Sequence, residues 1–336
     1  MSLSRLPFTV RLVNGIDGDP AVVLSPHQKK YHLLFDCGDL SALSHKEIIR
    51  VRYLCISHCH IDHFIGFDRL LRHRIPRYEL LHIYGPKDMA QRIYAKLCSY
   101  TWNLLEPGQL LFEVHEIGID GSLRVFRLEN SQNFVPQLIG STPGHKNKVA
   151  DLGVLEDGMR LSAIILDHGI PVVSYRVDFP LSMEFDVEAA LRDGLSPGPW
   201  ISTFKHFLLA GDLDRAIACS DGQNRSVKTL AAAYTLETHQ SSFGYLTDIE
   251  DQPENRERIQ ALLSGVTYLV SESCFDASHE DRAKDRKHLT SRQAGSIAAM
   301  VGAREFLPFH ISKIYQGADA ERVVQEALDF WRGDGK

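Results

Sequence analysis

His58-Cys59-His60-Ile61-Asp62-His63 is the most informative stretch of the chain, because three imidazoles and a carboxylate lie within six residues. His58 and His60 stand two positions apart in extended chain, so their side chains point to the same side. Asp62 and His63 follow a turn and can serve a second ion. Imidazole nitrogen together with carboxylate oxygen suits Zn²⁺, whereas Ca²⁺ and Mg²⁺ prefer oxygen ligands. The stretch therefore predicts two adjacent sites for divalent metal ions.

Further ligands are expected elsewhere in the chain, because two ions need more donors than this one loop supplies. His168, Asp212 and His310 each follow an apolar run that the sequence suggests is a strand. The three residues therefore extend the predicted ligand set. Strand alternation points Cys59 away from His58 and His60, so Cys59 is not expected to be a ligand.

Composition and charge exclude several classes of protein. The 336 residues are 44% hydrophobic and 24% charged, which is typical of globular α/β proteins. No apolar run reaches the roughly 18–20 residues that cross a bilayer, and the N-terminus lacks the apolar stretch of a secretory signal. A cytoplasmic protein with no membrane partner is expected. The formal net charge of −6 argues against general affinity for nucleic acids.

The pattern of apolar and turn residues predicts an α/β organisation. Strands are expected near 8–13, 21–24 and 31–36, and a closing α/β unit is expected with helices at 290–302 and 318–331. Residues 184–207, with few apolar pairs, are a candidate short arm. The polar stretch 220–257 is interpreted as an insertion or a long loop.

Five segments resemble, in order and spacing, the metallo-β-lactamase superfamily and, within it, the ribonuclease Z family of tRNA 3′-processing endoribonucleases. These segments are His58–His63, Leu166–Pro171, Gly211-Asp212, Lys287–Ala294 and Phe309–Lys313. The resemblance runs from about Phe8 to Trp331. It implies that residues 1–336 form a single α/β domain, the metallo-β-lactamase αββα four-layer sandwich.

The resemblance also implies roles for individual residues. Two divalent ions, Zn²⁺ or alternatively Mn²⁺, would share a hydroxide that acts as the nucleophile. The implied metal ligands are His58, His60 and His168 for one ion, Asp62, His63 and His310 for the other, and Asp212 as the bridge. Asp62 would also orient or deprotonate the attacking water, and His288 would protonate the leaving oxygen. Glu272 would hold His288 in its working tautomer, and Ser312 and Lys313 would contact the substrate phosphate.

The activity implied by the resemblance is removal of the 3′ trailer of precursor tRNA. The implied assembly is a homodimer in which the arm of one subunit holds the tRNA that the other cuts. A phosphodiesterase for small or cyclic phosphate esters is the alternative. It is favoured by the negative net charge and by the short interval of about a dozen residues between Trp200 and Asp212. A catalytically silent RNA- or protein-binding scaffold is the third hypothesis, although such proteins usually lose ligands that this chain keeps.

Overall fold

The computed structural model describes residues 6–27, 29–75 and 79–334, and for 237–239 it describes the backbone. The N-terminal stretch used above to argue against a secretory signal lies largely outside the described residues, as do both ends of the predicted 1–336 domain. The chain divides into two compact units. The larger unit takes in Pro7–Val177 and the chain from Ser242 onward, and the smaller unit takes in Asp178–Ser241.

The first sheet of the larger unit follows the chain order. Within the described ranges its eight strands are β1 (Phe8–Leu12), β2 (Val22–Pro26), β3 (His32–Phe35), β4 (Val51–Cys55), β5 (Leu81–Pro86), β6 (Leu111–Ile117), β7 (Leu123–Glu129) and β8 (Gln137–Thr142). Strands β3 to β6 are parallel. Parallel neighbours need crossover connections, and these contain α1 (His45–Ile48), α2 (Ile61–Phe64), α3 (Phe67–Arg74) and α4 (Met89–Cys98).

The other strands of the described chain are β9 (Ala150–Val154), β10 (Arg160–Asp167), β11 (Pro171–Asp178), β12 (Ser182–Phe185), β13 (Ala216–Ala218), β14 (Asn224–Ser226), β15 (Thr235–His239), β16 (Ser242–Leu246), β17 (Tyr268–Glu272) and β18 (Glu305–Phe309). A second sheet has the order β18-β17-β16-β11-β10-β9. The two-stranded sheets β12-β15 and β13-β14 belong to the smaller unit.

The smaller unit also contains α5 (Val187–Arg192), α6 (Pro199–Leu209) and α7 (Val227–Tyr234). The remaining described α-helices are α8 (Pro253–Leu263), α9 (Glu280–Arg286), α10 (Ser291–Met300) and α11 (Ala318–Arg332). None of the helices in the described ranges is both long and apolar enough to cross a membrane.

The two large sheets pack face to face through aromatic side chains. The ring of Phe35 on β3 lies 5.9 Å from Tyr175 on β11, and 4.9 and 5.4 Å from Phe243 and Tyr245 on β16. Helices α3 and α4 cover the outer face of the first sheet with buried apolar residues. Helices α8, α10 and α11 do the same for the second. The layers therefore run helix, sheet, sheet, helix, as the αββα prediction requires.

The structure divides the segments 184–207 and 220–257 differently from the arm and the loop that the sequence predicted. Residues 184–207 and 220–241 both belong to the smaller unit. Residues 242–246 are instead the fully buried strand β16 at the centre of the second sheet, and Pro253 begins α8. The sequence analysis missed this core strand because the residues on either side of it are polar.

Candidate metal centre and active site

The candidate site lies at the carboxyl ends of strands in the larger unit. The loop after β4 contributes the histidines and the aspartate of 58–63, and His168 follows β10. Asp248 and His310 follow β16 and β18, which are both parallel to β17. The carboxyl ends of parallel strands share one edge of a sheet, which is where α/β proteins bind ligands.

The first ligand group consists of His58, His60, His168 and Asp248, whose donor atoms all lie within 4.8 Å of one another. The Oδ2 atom of Asp248 is 3.6 Å from Nε2 of His58 and 3.8 Å from Nε2 of His168. His58, His168 and Asp248 are buried, whereas His60 is exposed. This group faces solvent on the side of His60.

The second ligand group consists of Asp62, His63 and His310. The Oδ2 atom of Asp62 is 3.7 Å from Nε2 of His63 and 3.9 Å from Nε2 of His310. Asp248 reaches this group as well, with Oδ2 3.4 Å from His63 Nε2 and Oδ1 3.3 Å from His310 Nε2. Asp248 therefore stands between the two groups, in the position of a bridging ligand.

The prediction that Asp212 supplies this bridge is wrong. Asp212 is an exposed residue of the smaller unit, in the turn that follows α6. The apolar residues before it belong to that helix rather than to a strand. The ligand groups found among the described residues contain Asp248 and not Asp212. The other six predicted ligands lie together in the two groups.

Asp248 carries the sequence signal that was applied to Asp212. It follows the buried strand β16 (Ser242–Leu246) with one residue, Thr247, between them. Gly211-Asp212 was chosen because it resembles the Gly-Asp motif of the family. Strand β16 was not recognised because 220–257 was interpreted as an insertion or a long loop. Asp36, which follows β3 in the same way, was also missed.

Asp36 is the buried anchor of the second group. Its carboxylate accepts hydrogen bonds from the Ser57 backbone N–H at 2.6 Å, the Ser57 hydroxyl at 2.7 Å and the Tyr245 hydroxyl at 2.7 Å. The same carboxylate accepts from Nδ1 of His63 at 2.8 Å. This bond fixes the tautomer that leaves Nε2 of His63 free to bind a metal. His168 is held likewise, since its Nδ1 donates to the Lys287 carbonyl at 2.7 Å.

The residues present fit a divalent metal ion. Within the described ranges, Nε2 of His58 and Nε2 of His63 are buried without a hydrogen-bond partner. Burial, reinforced by His63, lowers the pKa of His58 to about 2, so its imidazole is neutral and able to act as a ligand. Although burial opposes ionisation, His63 and His310 hold the pKa of Asp248 well below its usual range. Imidazole nitrogens arranged around an ionised carboxylate form a donor set for a transition-metal ion.

His288 lies beside both ligand groups without belonging to either. Its ring centroid is 4.9 Å from that of His168 and 5.9 Å from that of His310. Nδ1 of His288 donates to Oε2 of Glu272 at 2.8 Å, and Oε1 of Glu272 accepts the Ile249 backbone N–H at 2.6 Å. Burial lowers the pKa of His288, but the Glu272 carboxylate outweighs burial and raises it to about 9. The pair can therefore hold and deliver a proton.

Ser312 and Lys313 lie in the segment that follows His310. Ser312 is half-buried, and its backbone N–H donates to the Cys274 carbonyl. Lys313 is exposed over 77% of its side chain and pairs with Asp19 at 3.1 Å. Their contact with a substrate phosphate stays a prediction.

Curated relatives match most of the chain. It is 30% identical over 298 residues to ribonuclease Z of Deinococcus radiodurans, which covers 88% of this chain and 86% of the relative. It is 29% identical over 303 residues to ribonuclease Z of Kineococcus radiotolerans, covering 88% and 78% of the two chains. No protein-family model matches the chain.

Solved structures resemble this chain at lower identity. The short form of human tRNase Z aligns with a TM-score of 0.55 at 18% identity, and the alignment covers 92% of this chain and 92% of the human chain. The metallo-beta-lactamase fold protein YhfI of Bacillus subtilis has a TM-score of 0.52 at 16% identity, covering 96% of this chain and 93% of YhfI. These likenesses confirm the predicted fold class.

Proposed function

The chain belongs to the ribonuclease Z family, and from this premise we propose that it is a dinuclear-metal endoribonuclease that removes the 3′ trailer of precursor tRNA. The observation that carries the proposal is the position of Asp248 between two histidine groups, with the Glu272–His288 pair at their edge. A scaffold without activity would have no use for a half-buried proton donor beside the ligand groups.

In this proposal His58, His60 and His168 would hold one ion, and Asp62, His63 and His310 would hold the other. Asp248, which lies between the two groups, would serve both. Zn²⁺ is the proposed ion and Mn²⁺ the alternative, because imidazole nitrogens outnumber carboxylates in the set. When bound, such a pair of ions lowers the pKa of water towards neutrality and takes up the negative charge that develops on the phosphoryl oxygens.

The protein's own residues handle the protons of the reaction. Asp62 is half-buried at the edge of the second group, where it can orient the attacking water and accept its proton. His288 donates a proton to the leaving ribose oxygen. Because Glu272 accepts the Nδ1 proton of His288, Nε2 is the atom that is free to face the substrate. Ser312 and Lys313 are proposed to steady the scissile phosphate.

The smaller unit is proposed to act as the tRNA-binding arm of a single metallo-β-lactamase domain. The alternative of a small-ester phosphodiesterase depended largely on the short interval between Trp200 and Asp212. With Asp248 instead of Asp212 as the proposed bridge, the length of that interval no longer indicates a shortened arm. The whole smaller unit, Asp178–Ser241, can then serve as the arm. A homodimer in the cytoplasm, in which each arm serves the neighbouring subunit, is part of the same proposal.

The direct test incubates the zinc-loaded protein with a precursor tRNA and, separately, with bis(p-nitrophenyl) phosphate. We expect one cleavage at the end of the mature tRNA, abolished by a chelator and restored by Zn²⁺. Cleavage of the small ester alone would refute the tRNA assignment. Light scattering during gel filtration tests the homodimer, which requires twice the mass of one chain.

A further inference from the structure

A second cluster of metal-ligating side chains lies on the first sheet and shares no residue with the site described above. It consists of His82 on β5 with Glu113 and His115 on β6, and their donor atoms all lie within 4.8 Å of one another. From this cluster we infer that the protein has an additional binding site for a divalent transition-metal ion. The inference depends neither on the proposed function nor on the residues proposed for it.

Strand register brings the three side chains together. Strands β5 and β6 are parallel, with His82 opposite Glu113 and Tyr84 opposite His115. Glu113 and His115 are two positions apart on one strand and therefore lie on the same face of the sheet. The cluster is thus built by regular strand geometry, which holds the ligands on a rigid element.

Unpartnered nitrogen atoms are the main evidence for a ligand. In the described part of the chain, Nδ1 of His82 and both ring nitrogens of His115 are buried without a hydrogen-bond partner. A polar atom that leaves water without gaining a partner costs free energy. Native proteins pair such atoms almost everywhere, so three of them in one cluster require an explanation. A bound cation would supply a partner for Nδ1 of His82 and for one of the two ring nitrogens of His115.

Neighbouring side chains fix the orientation of the cluster. The ring of Tyr53 stacks on His82 at 5.3 Å, and the ring of Tyr84 stacks on His115 at 4.4 Å. Oε1 of Glu113 accepts a hydrogen bond from Arg127 at 2.8 Å. The other oxygen, Oε2, is left 3.6 Å from Nδ1 of His82. The arginine therefore positions the carboxylate without occupying the oxygen that faces the histidine.

Two imidazoles and one carboxylate define the class of ion. This donor set suits Zn²⁺, Co²⁺, Ni²⁺ or Cu²⁺ and is poor for Ca²⁺ and Mg²⁺, which require mainly oxygen. Three protein ligands leave at least one coordination position for water. The side chains of His82 and Glu113 are 22% and 17% exposed, so an ion can enter from solvent without unfolding of the sheet.

The test compares metal content after loading with Zn²⁺ and gel filtration. His115→Gln removes one imidazole from the cluster, and His145→Gln changes an exposed histidine outside every ligand group as a matched control. We expect wild type and His145→Gln to hold equal amounts of zinc, and His115→Gln to hold one ion fewer per chain. Hydrolysis of bis(p-nitrophenyl) phosphate should be unchanged in His115→Gln, which separates this site from the catalytic ions. Equal zinc content in folded His115→Gln and wild type would overturn the inference.

A second variant and a measurement on wild type keep the test decisive if His115→Gln does not fold. Glu113→Gln preserves side-chain volume and removes the charge, and it should lose the same ion. Anomalous diffraction at the zinc edge from wild-type crystals should show a peak between His82, Glu113 and His115. Absence of that peak, with peaks present at the main site, would refute the inference whatever the variants show.

Discussion

Three residues of the site that follow the ends of strands have an uncommon backbone conformation. Asp36, Asp248 and His310 have φ angles of 53°, 46° and 56°, in the left-handed region that residues other than glycine rarely adopt. Each follows the end of a strand, where the conformation turns the chain and directs the side chain into the site. Strain of this kind persists only where the surroundings fix it, and it concentrates at functional sites. Here the hydrogen bonds to Asp36 provide part of that constraint.

Asp248→Asn tests the bridge and has a natural control in Asp212→Asn. The amide removes the charge that faces His63 and His310, so we expect zinc content to fall by at least one ion and turnover to fall with it. Asp212→Asn should leave both unchanged, because Asp212 is exposed in the smaller unit. Inductively coupled plasma mass spectrometry measures the zinc content, and hydrolysis of bis(p-nitrophenyl) phosphate measures the turnover. The opposite pattern would restore Asp212 as the ligand.

Asp36→Asn tests the anchor behind His63. An amide cannot accept all four hydrogen bonds that the carboxylate receives. We expect zinc affinity, measured by competition with a chelator, to fall roughly 10–100-fold. The free energy of unfolding should fall by about 1–3 kcal/mol, because buried donors lose their acceptor. The exposed Asp39, changed to Asn, is the control and should keep its zinc affinity. An unchanged affinity in Asp36→Asn would show that His63 needs no orienting partner.

His288 and Glu272 are expected to act as one unit. His288→Ala should reduce turnover by roughly 10²–10⁴ while metal content stays constant. Glu272→Gln should also reduce turnover, since an uncharged amide would hold the imidazole less firmly than the carboxylate does. In the His288→Ala background the second change should cost little more, because residues that share one role are not additive. Fully additive losses in this double-mutant cycle would assign Glu272 a separate, structural role.

At the scale of elements, the sequence predicted much of the larger unit but missed strand β16 at the centre of its second sheet. The helices at 291–300 and 318–332 and the strands β1, β2 and β3 lie close to their predicted positions. Strand β16 was missed because Ser242 and Gly244 interrupt its apolar pattern. Gly244 packs closely against α8, since a Cβ there would lie 2.9 Å from a methyl group of Leu263. Local pattern cannot reveal a glycine selected by a distant helix, and Asp248 was lost together with the strand.

The close contact between α10 and α11 leads us to predict that alanine at Gly295 destabilises the protein, although helix propensity alone favours alanine. Alanine favours a helix over glycine by roughly 1 kcal/mol. At Gly295, however, a Cβ would lie 2.5 Å from the Ala327 carbonyl oxygen and 2.6 Å from Phe330 Cβ. We expect Gly295→Ala to lower the free energy of unfolding by about 1–3 kcal/mol through overpacking. Ser296→Ala, at the neighbouring exposed position, should change it by less than about 0.5 kcal/mol in urea titrations. Stabilisation by Gly295→Ala would contradict the close helix contact.

At the scale of the whole molecule, each of the two units has buried apolar residues of its own. The smaller unit buries Phe185, Trp200, Phe204 and Tyr234 against one another. The larger unit is built on the clusters around its two sheets. The sequence indicated the smaller unit only as two unrelated irregular segments, because its short strands and helices carry weak periodicity. Because each unit has its own buried residues, removal of the smaller unit is a practical test of its role.

Replacing residues 180–240 by a two-glycine turn tests that separation. The replacement is geometrically simple, because the Phe179 N–H already donates to the Ser241 carbonyl at 2.9 Å and the two ends lie side by side. All proposed metal ligands and the Glu272–His288 pair belong to the larger unit. We expect the shortened chain to fold, to bind the same amount of zinc and to hydrolyse bis(p-nitrophenyl) phosphate at the rate of wild type. Cleavage of precursor tRNA should be lost, because the proposed arm is gone. Undiminished tRNA cleavage would show that the smaller unit has another role, whereas loss of both activities with intact zinc content would show that it supports the chemistry itself.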